Sequence, residues 1–291
     1  MRITNHFDLP EAFVRFEERN EHTRDGADIS VTELIDSPRI HTLKVRHNDD
    51  IEEDISGRVM ALLGTAVHNV LEQGAPAGCS VEERLFTVVD GIQLSGQIDL
   101  QTPSGDGILI SDYKTTSVYA VKANPEGKAE WEQQLNIYAA LAEANGRIVN
   151  GLEVVVVIRD WSAAAVARSY DYPKVPILRI PITMWEAGYR DKYISGRIRD
   201  LLDNPERECT PEERWERGTK WAVYKHSKNG SVPKRAHRVF DTEVEAQELM
   251  FQLDGYASVK FRQGQSIRCE HYCPVSNFCS QWKTIQENND D

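Results

Sequence analysis

The chain has 291 residues, of which 40% are hydrophobic and 27% charged, with a formal net charge of −12. These values exclude a disordered polyelectrolyte, and no apolar run reaches the roughly 20 residues of a membrane span. The acidic balance excludes a uniformly basic nucleic-acid coat but not a local basic groove, because charge distribution matters more than the total.

The length suits one large domain or a domain with insertions. The opening Met1-Arg2-Ile3-Thr4-Asn5-His6-Phe7-Asp8 has no apolar signal-peptide core. Five cysteines, an odd number, disfavour a disulfide framework. A cytoplasmic, intracellular protein with no membrane partner is expected.

Residues 1–56 are polar with weak periodicity and read as a helical or irregular N-terminal lobe, with a loop at Arg46-His47-Asn48-Asp49-Asp50. From Gly57 to Glu72, Val59, Leu62, Leu63, Ala66, Val67, Val70 and Leu71 recur at helical spacing. Strands are predicted over 84–90, 94–101 and 108–114, with Gly91 at the first turn and Thr102-Pro103-Ser104-Gly105-Asp106-Gly107 at the second. A helix over 130–144 turns Trp131, Leu135, Tyr138, Ala139 and Ala142 to the core. The Val-rich run 152–158 reads as a buried strand and 177–182 as another. Thr183 is the expected cap of a helix running to about Leu202. Thr210-Pro211-Glu212-Glu213 reads as the start of a short helix, and 241–255 as a further one. The order predicts an α/β core with a mixed sheet.

Chemistry concentrates at Gly96-Gln97-Ile98-Asp99 and Ile110-Ser111-Asp112-Tyr113-Lys114-Thr115-Thr116. Strand alternation puts Asp112 and Lys114 on one face, and a hairpin brings Asp99 beside them. Two carboxylates and an amine at one spot suit a divalent metal and phosphodiester hydrolysis. Asp99 and Asp112 are candidate ligands, with the carbonyl of Tyr113 a possible addition. Lys114 is placed to orient or deprotonate water, or to stabilise charge on the phosphate. His68 lies on the edge of the apolar face of the 57–72 helix; as a ligand it favours Mn²⁺ over Mg²⁺. Gln134 and Tyr138, four apart, share one helix face.

Taken in order, Gly64-xxx-His68, Gly96-xx-Asp99, Asp112-Tyr113-Lys114-Thr115-Thr116 and Gln134-xxx-Tyr138 resemble the RecB-like branch of the PD-(D/E)XK nucleases over roughly residues 57–160. Ile98-Asp99 stands where that family typically has Pro-Asp. The resemblance implies a restriction-endonuclease-like core at 57–205, with a central mixed β-sheet flanked by helices. It implies a metal-dependent DNA nuclease using Mg²⁺ or Mn²⁺. By it, His68, Asp99 and Asp112 are metal ligands, Lys114 is catalytic, and Gln134 and Tyr138 support the site. Glu83 matches an acidic position sometimes found near such sites.

Three cysteines fall within eleven residues, in Cys269-Glu270-His271-Tyr272-Cys273-Pro274 and Cys279. Three thiolates need a fourth ligand to hold Zn²⁺ or a [4Fe–4S] cluster; Cys209 is the candidate and His271 its rival. The arrangement is similar to the iron–sulfur nucleases of the same superfamily, among them the CRISPR adaptation nucleases and AddB-type helicase–nuclease subunits. It departs from them in its first spacing, three residues rather than two, and in Cys209 following the nuclease motifs. The resemblance favours a cluster that pins residues 206–291 to the core. Cys79 reads as a buried free thiol.

Between Arg214 and Arg238 stand eight Lys or Arg and one acid, Glu216. This reads as a DNA-contacting hairpin, with Lys220, Lys225, Lys228, Lys234 and Arg235 for phosphates and Trp221 or Tyr224 for stacking. The absence of a Gly-x-x-x-x-Gly-Lys-Ser/Thr segment excludes a motor of that type. The reading is an exonuclease of recombination or repair, of a kind found in phages or prophages. It would work with DNA and with a helicase or single-strand annealing protein, or as a homo-oligomer. A structure-specific endonuclease, a non-catalytic DNA-binding subunit and a structural metal protein are the alternatives.

Overall fold

The computed structural model describes residues 1–19, 24–227, 230–253 and 256–290; Lys228 of the basic stretch lies outside them. The chain divides into two compact units, Met1–Arg207 and Glu208–Asp291.

The first unit runs β1 (Arg2–Thr4), α1 (Glu11–Arg19), β2 (Ile29–Ser30), α2 (Val31–Ile35), α3 (Pro38–Arg46), β3 (Glu52–Asp54), α4 (Ile55–Gln73), β4 (Ser80–Val89), β5 (Ile92–Ser104), β6 (Gly107–Thr116), α5 (Val118–Ala123), α6 (Ala129–Ala144), β7 (Val149–Ile158), α7 (Ala163–Val166), β8 (Ile177–Ile182) and α8 (Ala187–Asp203). A six-stranded mixed sheet has the order β2-β5-β6-β7-β8, with β4 also paired to β5. β4, β5 and β6 form an antiparallel meander. Its first turn is Asp90-Gly91, both at positive φ, as a two-residue hairpin of this hand requires. β6 and β7 run parallel, so the chain must cross over between them, and α5 and α6 make that crossing.

The three predicted strands and the 130–144 helix are present, each somewhat longer than the periodicity suggests. Val154 and Val156, two apart and so on one face of β7, are fully buried, while Val155 and Val157 on the other face are partly buried. α6 buries Trp131, Leu135, Tyr138, Ala139 and Ala142, and also Ile137 and Leu141. It packs against α2 and α8 as well as the sheet, so little of it meets solvent.

The N-terminal stretch contains the helix expected of it: Ile29, Val31 and Leu34 belong to the main core, β2 pairs with β5, and Ser30 and Glu33 close a reciprocal capping box on α2. One expectation changes in this unit. Thr183 does not cap the following helix; α8 starts after Glu186. The cause is Asn136, fully buried in α6, whose amide donates to the Thr183 carbonyl at 2.9 Å and accepts from the Trp185 N–H at 2.7 Å. Those bonds hold 183–185 outside the helix.

The second unit contains β9 (Glu216–Arg217), β10 (Lys220–Lys225), β11 (Arg238–Phe240), α9 (Glu243–Gln252), β12 (Ala257–Arg262), β13 (Gln265–Ser266), α10 (Ile267–His271), a 3₁₀ turn at Ser276–Phe278 and α11 (Ser280–Asp290). β11, β10 and β12 form an antiparallel sheet in that order, and α9 packs on β10. The predicted helix at Thr210 is a single turn: Thr210 and Glu213 cap one another, but Trp215 takes φ +52° and ends the coil. Among the described residues no helix is long and apolar enough to cross a membrane.

Candidate metal centre

The first unit's chemistry sits where β5 and β6 part. Their ladder ends at Leu100 opposite Ser111, and the next positions, Asp99 and Asp112, face the gap. With no ladder partner from β5, the Tyr113 N–H donates to Asp99 Oδ2 at 2.7 Å instead. Both carboxylates are buried, Asp112 to 1% exposure. Lys114 Nζ lies 2.6 Å from Asp112 Oδ2 as an ion pair. The alternation that places Asp112 and Lys114 together is thus realised.

α4 supplies His68. Its Nε2 is 3.0 Å from the Tyr113 carbonyl, and its Nδ1 is 3.6 Å from both Asp99 Oδ2 and Glu82 Oε1. Ligand atoms of His68, Glu82 and Asp99 fall within 4.8 Å of one another. Asp112 is outside this trio but close enough for its charge to act on Asp99.

Glu82 is the residue that sequence reasoning missed. Val81 pairs with Leu100 and Glu83 with Ile98, so Glu82 stands opposite Asp99. A left-handed backbone at Glu82, φ +47°, turns it out of regular pairing. Glu83, the acid expected near the site, is held elsewhere: it accepts from Arg147 at 2.9 Å and from Gln101 at 2.9 Å. Arg147 is the main reason its carboxyl falls to about 2. With two glutamates in succession, a sequence pattern cannot tell which turns inward.

The electrostatics fit a cation. Burial first, and the Asp112 charge second, push the Asp99 carboxyl up to about 7. The Glu82 carboxylate beside it and the Asp99 charge, working against burial, lift His68 to about 9. Burial works against the Lys114 ammonium, but Asp112 and Asp99 outweigh it and its pKa rises. Asp112 Oδ2 faces Lys114, but buried Oδ1 accepts no hydrogen bond among the described residues, leaving acceptor capacity that a divalent ion would use. One imidazole, carboxylate oxygens and a nearby carbonyl make a donor set suited to Mg²⁺ or Mn²⁺.

α6 closes the site. Gln134 Nε2 donates to Tyr138 Oη at 2.8 Å, both side chains being buried. Burial, then the Asp112 and Asp99 charges, keep Tyr138 a neutral phenol. The close approach of α6 explains Gly96: a Cβ there would lie 2.7 Å from Leu141 Cδ1 and 2.8 Å from Tyr138 Cε1.

In the second unit, burial and then the neighbouring Cys273, Cys209 and Cys279 push the Cys269 thiol up to about 12. Cys273, Cys209 and Cys279 thus each lie close enough for their charge to act on Cys269. Buried Gln281 brackets the Cys209 backbone, accepting from its N–H at 2.9 Å and donating to its carbonyl at 3.0 Å. Cys209 is thereby tied to the start of α11, directly after Cys279. His271 is exposed and near Glu270 at 3.7 Å. Cys79 is half-buried, its sulfur 3.7 Å from the Thr102 hydroxyl.

The basic stretch contains β9 and β10, and its last residue, Arg238, opens β11. Lys225, Lys234 and Arg235 are exposed, whereas Lys220 pairs with Asp241. Trp221 packs edge-on against Phe261 at 5.6 Å. Tyr224 is buried to 9%, with Lys260 and Arg262 at its ring. That ring is taken up inside the unit and does not offer the stacking face expected of it.

Comparison with curated proteins gives no match. Similar solved structures include one described as "Crystal structure of SSO0001", 18% identical, covering 70% of this chain and 89% of that chain with a TM-score of 0.49. The family model of the PD-(D/E)XK nuclease superfamily matches residues 75–280. That span starts after His68 and takes in Glu82, Asp99, Asp112, Lys114, Gln134, Tyr138 and the four clustered cysteines. With a mixed α/β core of the restriction-endonuclease-like kind beneath the match, the chain belongs to the PD-(D/E)XK nuclease superfamily.

Proposed function

We propose that this nuclease is a divalent-metal-dependent DNA exonuclease acting in recombination or repair. The observation that carries the reading is the meeting of His68, Glu82 and Asp99 within 4.8 Å, beside buried Asp112 and its half-buried partner Lys114 at 2.6 Å. His68, Asp99 and Asp112 would hold the ion, with Glu82 and the Tyr113 carbonyl adjoining. When bound, the ion supplies Lewis-acid polarisation of the phosphate and an acidified water.

The chain's own groups supply the rest. The Tyr113 N–H fixes Asp99 Oδ2, so the carboxylate is oriented before substrate arrives. Lys114, 2.6 Å from Asp112, is placed to steady negative charge developing on the phosphate and to orient or deprotonate the attacking water. Tyr138 accepts from Gln134, which leaves its own phenolic proton to donate. The exposed Lys225, Lys234 and Arg235 suit phosphate contacts.

The four clustered cysteines we read as a metal staple, a [4Fe–4S] cluster in preference to Zn²⁺. It would close the second unit by joining Cys209 near its start to Cys269, Cys273 and Cys279 near its end. A partner helicase or annealing protein, or self-association, would supply processivity.

The test is digestion of end-labelled linear duplex and single strand beside covalently closed circles of the same sequence. Progressive shortening of linear DNA with circles intact supports the exonuclease, and the label position gives polarity. Nicking of circles would instead make it an endonuclease. Binding without cleavage in any divalent metal would make it a non-catalytic subunit.

A further inference from the structure

The loop after β7 is a folded arm with an unusual surface. It is fastened at the C-terminal end of β6, two residues past Lys114, or about 7 Å of strand. The Arg159 N–H donates to the Thr116 carbonyl at 2.9 Å, and the Val118 N–H to Asp160 Oδ1 at 2.7 Å. Within the arm, Trp161 Nε1 donates to the Pro173 carbonyl at 2.9 Å, and the Ser162 N–H to Tyr172 Oη at 3.0 Å. Trp161 and Tyr172 pack against the main core. Lys122 of α5 pairs with Asp171.

On this fastened base two aromatic rings face solvent. Tyr170 is 97% exposed and Tyr119 73%. Tyr119 and Lys122 are three apart on α5 and share a face, so the two tyrosines flank the Lys122–Asp171 pair. Lys174 Nζ sits 5.3 Å above the Tyr170 ring. Arg159, Arg168 and Lys174 are exposed cations. The arm's two acids are engaged, Asp160 by Val118 and Asp171 by Lys122 and Ser169. In a chain of net charge −12, the arm places three exposed cations beside two solvent-exposed rings, with Lys174 over one face of Tyr170 and the other face left for stacking.

Resting on the nuclease reading above, we propose that this arm, residues 159–176, and Tyr119 form a platform for a single-stranded nucleic-acid end leading to the carboxylate site. Tyr119 and Tyr170 stack unpaired bases, while Arg159, Arg168 and Lys174 take phosphates. The occupant is a single strand because two outward rings need bases whose faces are free, which a duplex does not present.

The experiment uses the full chain and a fluorescein-labelled 20-nucleotide oligothymidine, followed by anisotropy in an Asp112→Asn background. Tyr119→Ala with Tyr170→Ala is expected to weaken binding roughly tenfold or more, and Tyr170→Phe to bind as the parent does. Arg168→Ala with Lys174→Ala is expected to flatten the slope of log affinity against log salt by about 1.4. In the active protein the double tyrosine change is expected to raise KM for the single strand. Unchanged affinity in the double tyrosine variant, with an unchanged salt slope in the double cation variant, would overturn the platform while cleavage by the parent upholds the nuclease. A parent that neither binds nor cleaves nucleic acid would overturn both.

Discussion

Glu82 stands opposite Asp99 across the β4–β5 ladder, and its left-handed backbone brings its carboxylate to 3.6 Å from His68 Nδ1, the same distance that separates Asp99 from that nitrogen. An imidazole shared between two carboxylates is oriented by both. If Glu82 sets the imidazole and adjoins the ion, Glu82→Gln is expected to lower metal affinity roughly 10- to 100-fold. Activity should recover in part at high Mn²⁺. Metal titration of cleavage in wild type and variant reads this directly, and equal half-saturation in the two would remove Glu82 from the centre.

Gly96 tests the packing of α6 over the site. A Cβ there meets Leu141, Tyr138 and Val31, all within 3 Å. Gly96→Ala is expected to destabilise by about 1–3 kcal/mol through overpacking. Gly64 in α4 has nothing within 4 Å of such a Cβ, so Gly64→Ala is expected to gain about 0.5–1 kcal/mol of helix stability. Urea unfolding of both variants measures the contrast.

Glu33 gives a pH dependence. Burial raises its carboxyl, but hydrogen bonds from Ser30 and the Arg24 charge outweigh that, and its pKa lies below the ordinary 4.5. A depressed folded-state value means stability present in full above the unfolded value and lost as pH falls through the folded one. Glu33→Gln should therefore be less stable at neutral pH and lose less on acidification from about pH 5 to 3. Thermal unfolding across that range checks the sign. Ser30→Ala should lose about 1 kcal/mol from the same cap.

The cysteines predict a metal-dependent second unit. Purified protein should carry iron with a visible absorption band, or else zinc, and Cys273→Ser should lose it. Chelation should then expose the second unit to protease. Protein free of both metals, with wild-type stability in Cys273→Ser, would reduce the four thiols to ordinary free cysteines.

Much of the core was legible because its signals are local. Strand alternation joined Asp112 to Lys114, the turn residues 102–107 announced the hairpin that brings Asp99 near, and helical spacing put Gln134 beside Tyr138. Glu82 was not legible, since its position depends on one left-handed residue that no periodicity marks. Asn136 defeated the Thr183 cap because a buried amide 47 residues away overrode a local preference. Tyr224 followed the same logic in reverse: a tyrosine within a basic run reads as a stacking ring, but β12, distant in sequence, supplies the Lys260 and Arg262 that occupy it. The capping box at Ser30-Val31-Thr32-Glu33 marks where a helix of the N-terminal lobe begins, which the weak periodicity of that stretch does not locate.

The most direct measurement compares cleavage of a linear, end-labelled duplex by wild type and Asp112→Asn in EDTA, Mg²⁺ and Mn²⁺. The expected result is cleavage by wild type in Mg²⁺ or Mn²⁺, none in EDTA, and a loss of at least about 100-fold in a folded Asp112→Asn variant. Cleavage that persists in EDTA, or an Asp112→Asn protein as active as wild type, would contradict a metal centre built on His68, Asp99 and Asp112.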